Sequence, residues 1–357
     1  MATAAATRAL DKFEQGFLKK FGEGSMSIPD ADKPYGTIST GSLSLDYAVG
    51  IGGLVKGRVA EIWGTEGAGK TTLVMLTCAE AQEDEPDQLI GWVDAEHTFD
   101  APWAKAHGMD LDRTRVITPH SAEDVADAVK EMIRSGLFSV VVLDSVGAMI
   151  GEKEIDKAAD EATMGIKAKI VTRMVNIAAT ECPITNTTFI IVNQVRANLG
   201  YGADTTTGGG WALKHASTMK FKVSRTGTSP FMQRINGEDM VVGHEIKVKV
   251  ERNKVAPAYR EATMVLFNQN CNLGPIGIDT VDETATLGIK LGIIEQAGAW
   301  FTIPGGERVQ GRPAVIAALR NDPERVKAIR ELVLATRAGE VDTSALDVVE
   351  LEEETGE

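Results

Sequence analysis

Residues 8–21 place Leu10, Phe13, Phe17, Leu18 and Phe21 at helical spacing with Lys12, Lys19 and Lys20 between them, which predicts an amphipathic helix. Gly22 and Gly24 stop it, and the polar stretch Ser27 to Lys33, marked by Pro29 and Pro34, reads as a linker. Such a helix either folds back on its own domain or docks on another subunit. From about Pro34 to Phe267 short apolar runs alternate with helical patterns. Val59–Trp63, Ile90–Asp94, Val140–Asp144 and Thr188–Asn193 have the continuous apolar character of buried parallel strands. Thr71–Gln82, Ala122–Ser135 and Thr163–Thr180 are the helical segments among them. The order predicts βαβ architecture, with a mainly parallel sheet covered on both faces. Met219–Val223 and Ile246–Val250 alternate instead, as half-exposed antiparallel strands do. Beyond Asn268 a mixed α/β, glycine-containing segment runs to about Ala335, and a charged tail follows. The predicted divisions are 1–33 (helix and linker), 34–268 (core), 269–335 (small C-terminal domain) and 336–357 (acidic tail, expected to be disordered).

A chain of 357 residues has room for this arrangement, and 43% hydrophobic with 25% charged residues is ordinary for a globular protein. No stretch approaches the ~20 apolar residues that a membrane helix needs. The first ten residues lack the apolar run of a secretory signal, and Asp11 and Glu14 come too soon for a transit peptide. Cys78, Cys182 and Cys271 are odd in number, far apart and form no CxxC pair, so reduced thiols and a cytoplasmic location are expected. The net charge of −14 argues against a simple basic nucleic-acid binder. Eight acids and no Lys or Arg lie in Glu340–Glu357, however, which leaves −6 on all other residues, so a nucleic-acid site must be local.

The strongest chemical signal is Gly64-Thr65-Glu66-Gly67-Ala68-Gly69-Lys70-Thr71, a complete GxxxxGK[ST] between a predicted strand and a predicted helix. Its glycines let backbone N–H groups curl around phosphate oxygens, and the helix N-terminus adds its positive dipole end. Lys70 reaches the β- and γ-phosphates, and the Thr71 hydroxyl is a ligand for Mg²⁺, with Thr72 next in the nucleotide-binding set. Asp144 ends another buried strand on the same sheet edge and is the second Mg²⁺ anchor. A third strand end, Asp94-Ala-Glu96-His97, offers two carboxylates, one of which would activate water for attack on the γ-phosphate. Spacing does not choose between them. The fourth ends in Asn193-Gln194, amides suited to sensing the γ-phosphate. These residues alone mean an ATPase; helicases, motors and kinases share them.

A set of motifs narrows this: Ile38-Ser-Thr-Gly-Ser-Leu-Ser-Leu-Asp46, Gly52-Gly-Leu-Val-Lys-Gly-Arg58, Asp94-Ala-Glu-His97, Leu143-Asp-Ser-Val146, Met164-Gly165, Asn193-Gln-Val-Arg196, Thr205-Thr-Thr-Gly-Gly209, Ala212-Leu-Lys214, Asn253-Lys254 and Ala297-Gly-Ala-Trp300. In this order and at these intervals, over roughly residues 8–335, the chain resembles the bacterial RecA-type DNA recombinases. The resemblance implies a RecA-type P-loop ATPase core, an N-terminal polymerisation helix and a small α/β C-terminal domain. It implies a DNA-dependent ATPase that forms helical filaments of its own copies on single-stranded DNA, pairs them with double-stranded DNA and exchanges strands, with ATP and Mg²⁺ as cofactors and no membrane partner. It makes Glu96 the catalytic carboxylate and Gln194 the γ-phosphate sensor, puts Trp103 where the family stacks a tyrosine on adenine, and has Arg252 and Lys254 reach a neighbour's γ-phosphate.

Two DNA-facing loops follow from the same resemblance, about Glu154–Gly165 and Arg196–Gly209. They give Met164, Gly165, Lys169, Arg173, Arg196, Asn198, Leu199, Thr205, Thr206, Gly208 and Gly209 as DNA-binding residues, with Leu199 as an aliphatic wedge between base steps. The second loop is Gly/Thr-rich, and its N–H groups and hydroxyls suit phosphates rather than base edges. Lys290, Arg308 and Arg312 are duplex-binding candidates of the C-terminal domain. The chain departs from the family where the second loop is about three residues shorter, and where Trp211 is added. Asn198 replaces a usual Lys, Asn176 a usual Arg and His215 a usual Phe. Arg173 lies one helical turn before Asn176, where it can substitute. Such drift suits a bacteriophage or otherwise divergent copy.

Overall fold

The computed structural model describes residues 4–22, 26, 35–151, 164–196, 206–207, 213, 215–227, 229–235, 237–272, 274–306 and 308–336. Two units are distinguished, 1–36 and 37–357. In the first, helix α1 (Ala4–Phe21) forms as the 3.6-residue pattern requires, with Lys19 and Lys20 in its last turn. Phe13, Phe17 and Phe21 stack along one side at 5.8 and 4.5 Å between rings, and Leu10, Phe13 and Phe21 are exposed.

The second unit is built on one large sheet. Its strands are β3 (Val59–Gly64), β4 (Leu89–Asp94), β5 (Thr114–Ile117), β6 (Phe138–Asp144), β7 (Thr188–Arg196), β8 (Thr206–Thr207), β9 (Met219–Arg225), β10 (Phe231–Ile235), β11 (Glu238–Asn253), β12 (Glu261–Phe267) and β13 (Gly277–Ile278), after a small pair β1 (Thr37–Ile38) and β2 (Leu54–Val55). The order across the sheet is β13-β12-β11-β9-β3-β7-β6-β4-β5, with β10 on β11 and β8 on β7. From β5 to β9 every ladder is parallel, and from β9 to β13 every ladder is antiparallel.

The strand β9 corrects the reading of Met219–Val223 as antiparallel and half exposed. It runs parallel to β3 and antiparallel only to β11, and four of those five residues are buried. The alternation misled because Lys220 is a polar residue facing a buried partner rather than water. Gly64 sits at the same seam: a Cβ there would lie 1.9 Å from the Val223 carbonyl oxygen, so only glycine lets β3 turn into the P-loop beside β9.

Apolar layers cover both faces. Helix α3 (Lys70–Asp84) packs Leu73, Val74 and Met75 on the side of Ile62, Val142 and Ile190. Helices α5 (Ala122–Ser135) and α6 (Met164–Thr185) pack Val129, Ile133, Val171 and Val175 on the side of Val141, Leu143 and Ile191. The start of α5 is fixed by Ser121 and Asp124, each accepting the other's backbone N–H, and Gly136 ends it at φ 67°. Two short helices, α2 (Leu43–Val49) and α4 (Ala101–Ala106), and the edge strand β5 were not evident in the sequence pattern. A third core gathers Ala285, Ile294, Phe301, Val315 and Ile329 from α7 (Thr280–Lys290), the three-stranded sheet β14 (Glu295–Ala297), β15 (Trp300–Thr302) and β16 (Arg308–Gln310), α8 (Arg312–Arg320) and α9 (Pro323–Thr336). Leu43 of α2 belongs to this third core. No helix among the described residues is long and apolar enough to cross a membrane.

Candidate nucleotide site

Four adjacent strands, β3, β7, β6 and β4, end on one edge of the sheet. The loop after β3 leads into α3 through Gly69 at φ 88°, a left-handed conformation that glycine adopts without strain. Lys70 folds back and its Nζ donates to the Thr65 carbonyl at 2.8 Å, which keeps the ammonium over the loop. Burial pulls the Lys70 pKa down, while Asp144, Glu96 and Glu66 pull it up. The Thr71 hydroxyl donates to Asp144 Oδ2 at 2.9 Å, joining the first turn of α3 to the end of β6. Burial pushes the Asp144 carboxyl up to about 6, Glu96 and Asp94 add repulsion, and the Thr71 hydrogen bond and Lys70 oppose the rise. Asp144 and the Thr71 hydroxyl therefore stand together beside the P-loop. Hard oxygen donors with too little positive charge around them fit a divalent cation.

The two carboxylates after β4 have different surroundings. Asp94 accepts the backbone N–H groups of Thr98 (3.2 Å) and Phe99 (2.8 Å), so it holds its own turn. Glu96 Oε1 accepts from Gln194 Nε2 at 2.8 Å and from the Ser145 hydroxyl. Asn193 and Gln194 also diverge, since successive strand residues face opposite sides of a sheet. Gln194 reaches Glu96, and Asn193 turns to the buried carboxylate of Glu61. Trp103, at the N-terminal end of α4, donates from Nε1 to the Thr72 hydroxyl at 3.3 Å.

The cavity over the P-loop has a volume of about 260 Å³ and is lined by Gly67, Gly69, Lys70, Thr71 and Thr72, and also by Arg225, His244, Leu266 and Asn268. The sequence reading missed these last four. They arrive on the antiparallel strands, far along the chain, and no local motif marks them. Arg225 donates from Nε to the Gly67 carbonyl at 2.9 Å and ties β9 to the loop. Arg252 and Lys254 do not line this cavity. They stand at the end of β11, where Lys254 Nζ donates to the His215 carbonyl at 2.8 Å and Arg252 lies opposite Lys220.

Of the DNA-binding candidates, Met164 and Gly165 begin α6, and Thr206 in β8 pairs with Arg196 in β7. Lys169 and Arg173 are exposed on α6 and line a shallow groove with Thr172 and Asn176. Asn198, Leu199, Thr205, Gly208 and Gly209 lie outside the described residues, as do most of the first loop and the acidic tail. Among the C-terminal candidates Arg312 is held by Asp282 at 2.7 Å and by Thr286, Arg308 lies over the Trp300 ring at 5.3 Å, and Lys290 is exposed.

The family described as RecA N-terminal domain matches residues 5–271. Protein RecA of Paracoccus denitrificans is 36% identical over 341 residues, spanning 94% of this chain and 91% of that protein. Protein RecA of Caulobacter vibrioides NA1000 / CB15N is 36% identical over 338 residues (93% and 88%). Protein RecA of Nautilia profundicola is 35% identical over 332 residues (91% of each).

Proposed function

The chain belongs to the RecA family, and from that premise we propose how its residues carry out the family's ATP-dependent recombination. It is an ATP-dependent recombinase of DNA recombination and repair, and a DNA-dependent ATPase. In our reading the P-loop, Gly64–Thr72, holds the phosphates with Lys70 as the fixed cation. Trp103 packs on the adenine. Thr71 and Asp144 hold Mg²⁺, which when bound neutralises charge on the β- and γ-phosphates. Glu96 orients and deprotonates the attacking water, and Gln194 exchanges its bond to Glu96 for one to the γ-phosphate, which couples nucleotide state to the loop beyond β7. The observation that carries this reading is a pair of contacts at one sheet edge, Thr71 of α3 to Asp144 of β6 and Gln194 of β7 to Glu96 beyond β4.

The division into an N-terminal docking helix (1–33), a core (34–268), a small C-terminal domain (269–335) and an acidic tail (336–357) is part of the proposal. So are the helical filament on single-stranded DNA, the capture of double-stranded DNA, a cytoplasmic location and the DNA-contacting set from Met164 to Gly209. The exposed Leu10, Phe13 and Phe21 on α1 support docking on a neighbouring copy. Arg252 and Lys254 complete the neighbour's site, where positive charge at the developing phosphoryl charge is worth roughly 10³–10⁵ in rate in other NTPases. Two inactive proteins test this. One carries Lys70→Ala, and the other carries Arg252→Ala with Lys254→Ala. In mixed filaments, interfaces that pair an intact P-loop with intact cations are complete, so ATPase activity on single-stranded DNA rises above the sum of the two. Verified mixed filaments that restore no activity exclude the cross-subunit role.

A further inference from the structure

Glu61 lies in the middle of β3 with no exposed surface, on the face that β3, β6 and β7 otherwise fill with Val59, Val141, Leu143, Phe189 and Ile191. Its Oε1 accepts from Asn193 Nδ2 at 3.0 Å, and its Oε2 lies 3.1 Å from Lys220 Nζ on β9. The second contact is charge on charge, since Oε2 receives no well-aligned hydrogen bond. Lys220 is itself buried and also lies 4.9 Å from the centre of the Trp63 ring. Trp63 Nε1 in turn donates to Glu251 at 2.8 Å, beside the irregularity in β11 that sets Arg252 opposite Lys220.

Stability does not explain a charged pair here. Desolvating two ions costs about what their attraction returns, and well-packed apolar residues of similar volume do as well or better. What an apolar pair does not supply is an acceptor for Asn193. With Nδ2 committed to Glu61, the Asn193 Oδ1 is turned to the backbone N–H of Gln194, which it accepts at 3.0 Å. The end of β7 is thereby pinned one bond away from the side chain that contacts Glu96.

We propose that Glu61 and Lys220 are positioning residues that act through Asn193 to set Gln194 for γ-phosphate recognition. The proposal rests on the assignment of Gln194 as sensor. Lys220 holds the Glu61 carboxyl in place, Glu61 orients the Asn193 amide, and Asn193 fixes the Gln194 peptide. The nucleotide itself is held by the P-loop, so nucleotide affinity and γ-phosphate sensing separate on disruption.

The test replaces the pair by apolar residues, Glu61→Leu with Lys220→Met. The readouts are the thermal midpoint, the affinity for ADP, and the gain in affinity for a fluorescent single-stranded oligonucleotide when ADP is exchanged for a non-hydrolysable ATP analogue. The double variant should melt as a folded protein and bind ADP within about twofold of the parent, while the gain falls by about tenfold. Should it fail to fold, Glu61→Met with Lys220→Met also removes the acceptor and is read in the same way, whereas Glu61→Gln with Lys220→Met keeps an amide oxygen for Asn193 and should keep the gain. Lys220→Arg retains the charge and should keep the gain. Gln194→Ala separates the two levels of the argument. If Gln194→Ala keeps the gain, the sensor assignment fails. If Gln194→Ala loses the gain while the folded double variant keeps it, the positioning role is overturned. Adding the pair substitutions to Gln194→Ala should lower the gain no further, and a further drop would mean that the pair acts elsewhere.

Discussion

Replacing Asp46 by Asn should change how stability depends on pH, by an amount that follows from the geometry around its carboxyl. Asp46 is buried in α2. Its Oδ1 accepts from the Thr40 backbone N–H (2.9 Å) and hydroxyl (2.7 Å), and its Oδ2 accepts from the Ser39 hydroxyl (2.8 Å). Burial raises its pKa to about 7, against those hydrogen bonds and the more distant charge of Arg330. Glu80 and Glu283 share the influence of Arg330 and are also raised by burial. A carboxyl raised on folding takes up a proton in the native state. Its contribution to stability is complete below the unfolded pKa near 4 and is lost as the pH rises through about 7. Between pH 5 and pH 8 that loss is about 2.5 kcal/mol for this one group. In Asp46→Asn the Oδ1 keeps both Thr40 donors and the new Nδ2 donates to Ser39, which leaves the hydrogen bonds but removes the titration. Glu80 and Glu283 titrate in both proteins, so the comparison isolates Asp46. Thermal melts of parent and variant without nucleotide, at pH 5 and pH 8, should diverge by about 4 °C, the parent losing more. Parallel melting curves at the two pH values would refute an elevated Asp46.

Other outcomes follow from the nucleotide site and the tail. Glu96→Gln should keep ATP and DNA binding and lower turnover by about 10²–10⁴-fold, the usual contribution of a positioned base, and normal turnover would remove Glu96 from that role. Lys70→Ala should instead weaken nucleotide binding, read by titration with a fluorescent ATP analogue. Truncation after Gly339 removes eight acids without a base and should strengthen duplex binding and lower its Mg²⁺ requirement. Unchanged duplex affinity at low Mg²⁺ would exclude competition by the tail.

Legibility from sequence followed the range over which the chemistry is encoded. The P-loop and the buried strands were readable because glycine turns, helix starts and apolar runs are local. Asp144 was readable because parallel strands share a ligand edge. The choice between Asp94 and Glu96 was not, because it depends on which carboxylate the turn consumes. Here Asp94 accepts two backbone N–H groups, whereas Glu96 meets Gln194 and Ser145. Arg225, His244, Leu266 and Asn268 were invisible for a related reason. They line the nucleotide cavity only because the antiparallel strands fold back beside the P-loop.

The misreading of β9 has a physical lesson that reaches the mechanism. Alternating charge along a strand signals a half-exposed face only where water is what the charges meet. At β9 the sheet changes from parallel to antiparallel, and Lys220 meets Glu61 there instead of solvent. The same strand passes the P-loop at Gly64, ends in the arginine bonded to Gly67, and sets Lys220 opposite Arg252. The seam strand therefore touches three parts of the proposed chemistry: the phosphate loop directly, the proposed sensor through Glu61 and Asn193, and Arg252 across its second ladder. A displacement of any one of these has β9 in common with the others, so the seam strand connects the chain's own P-loop with Arg252 through its two ladders.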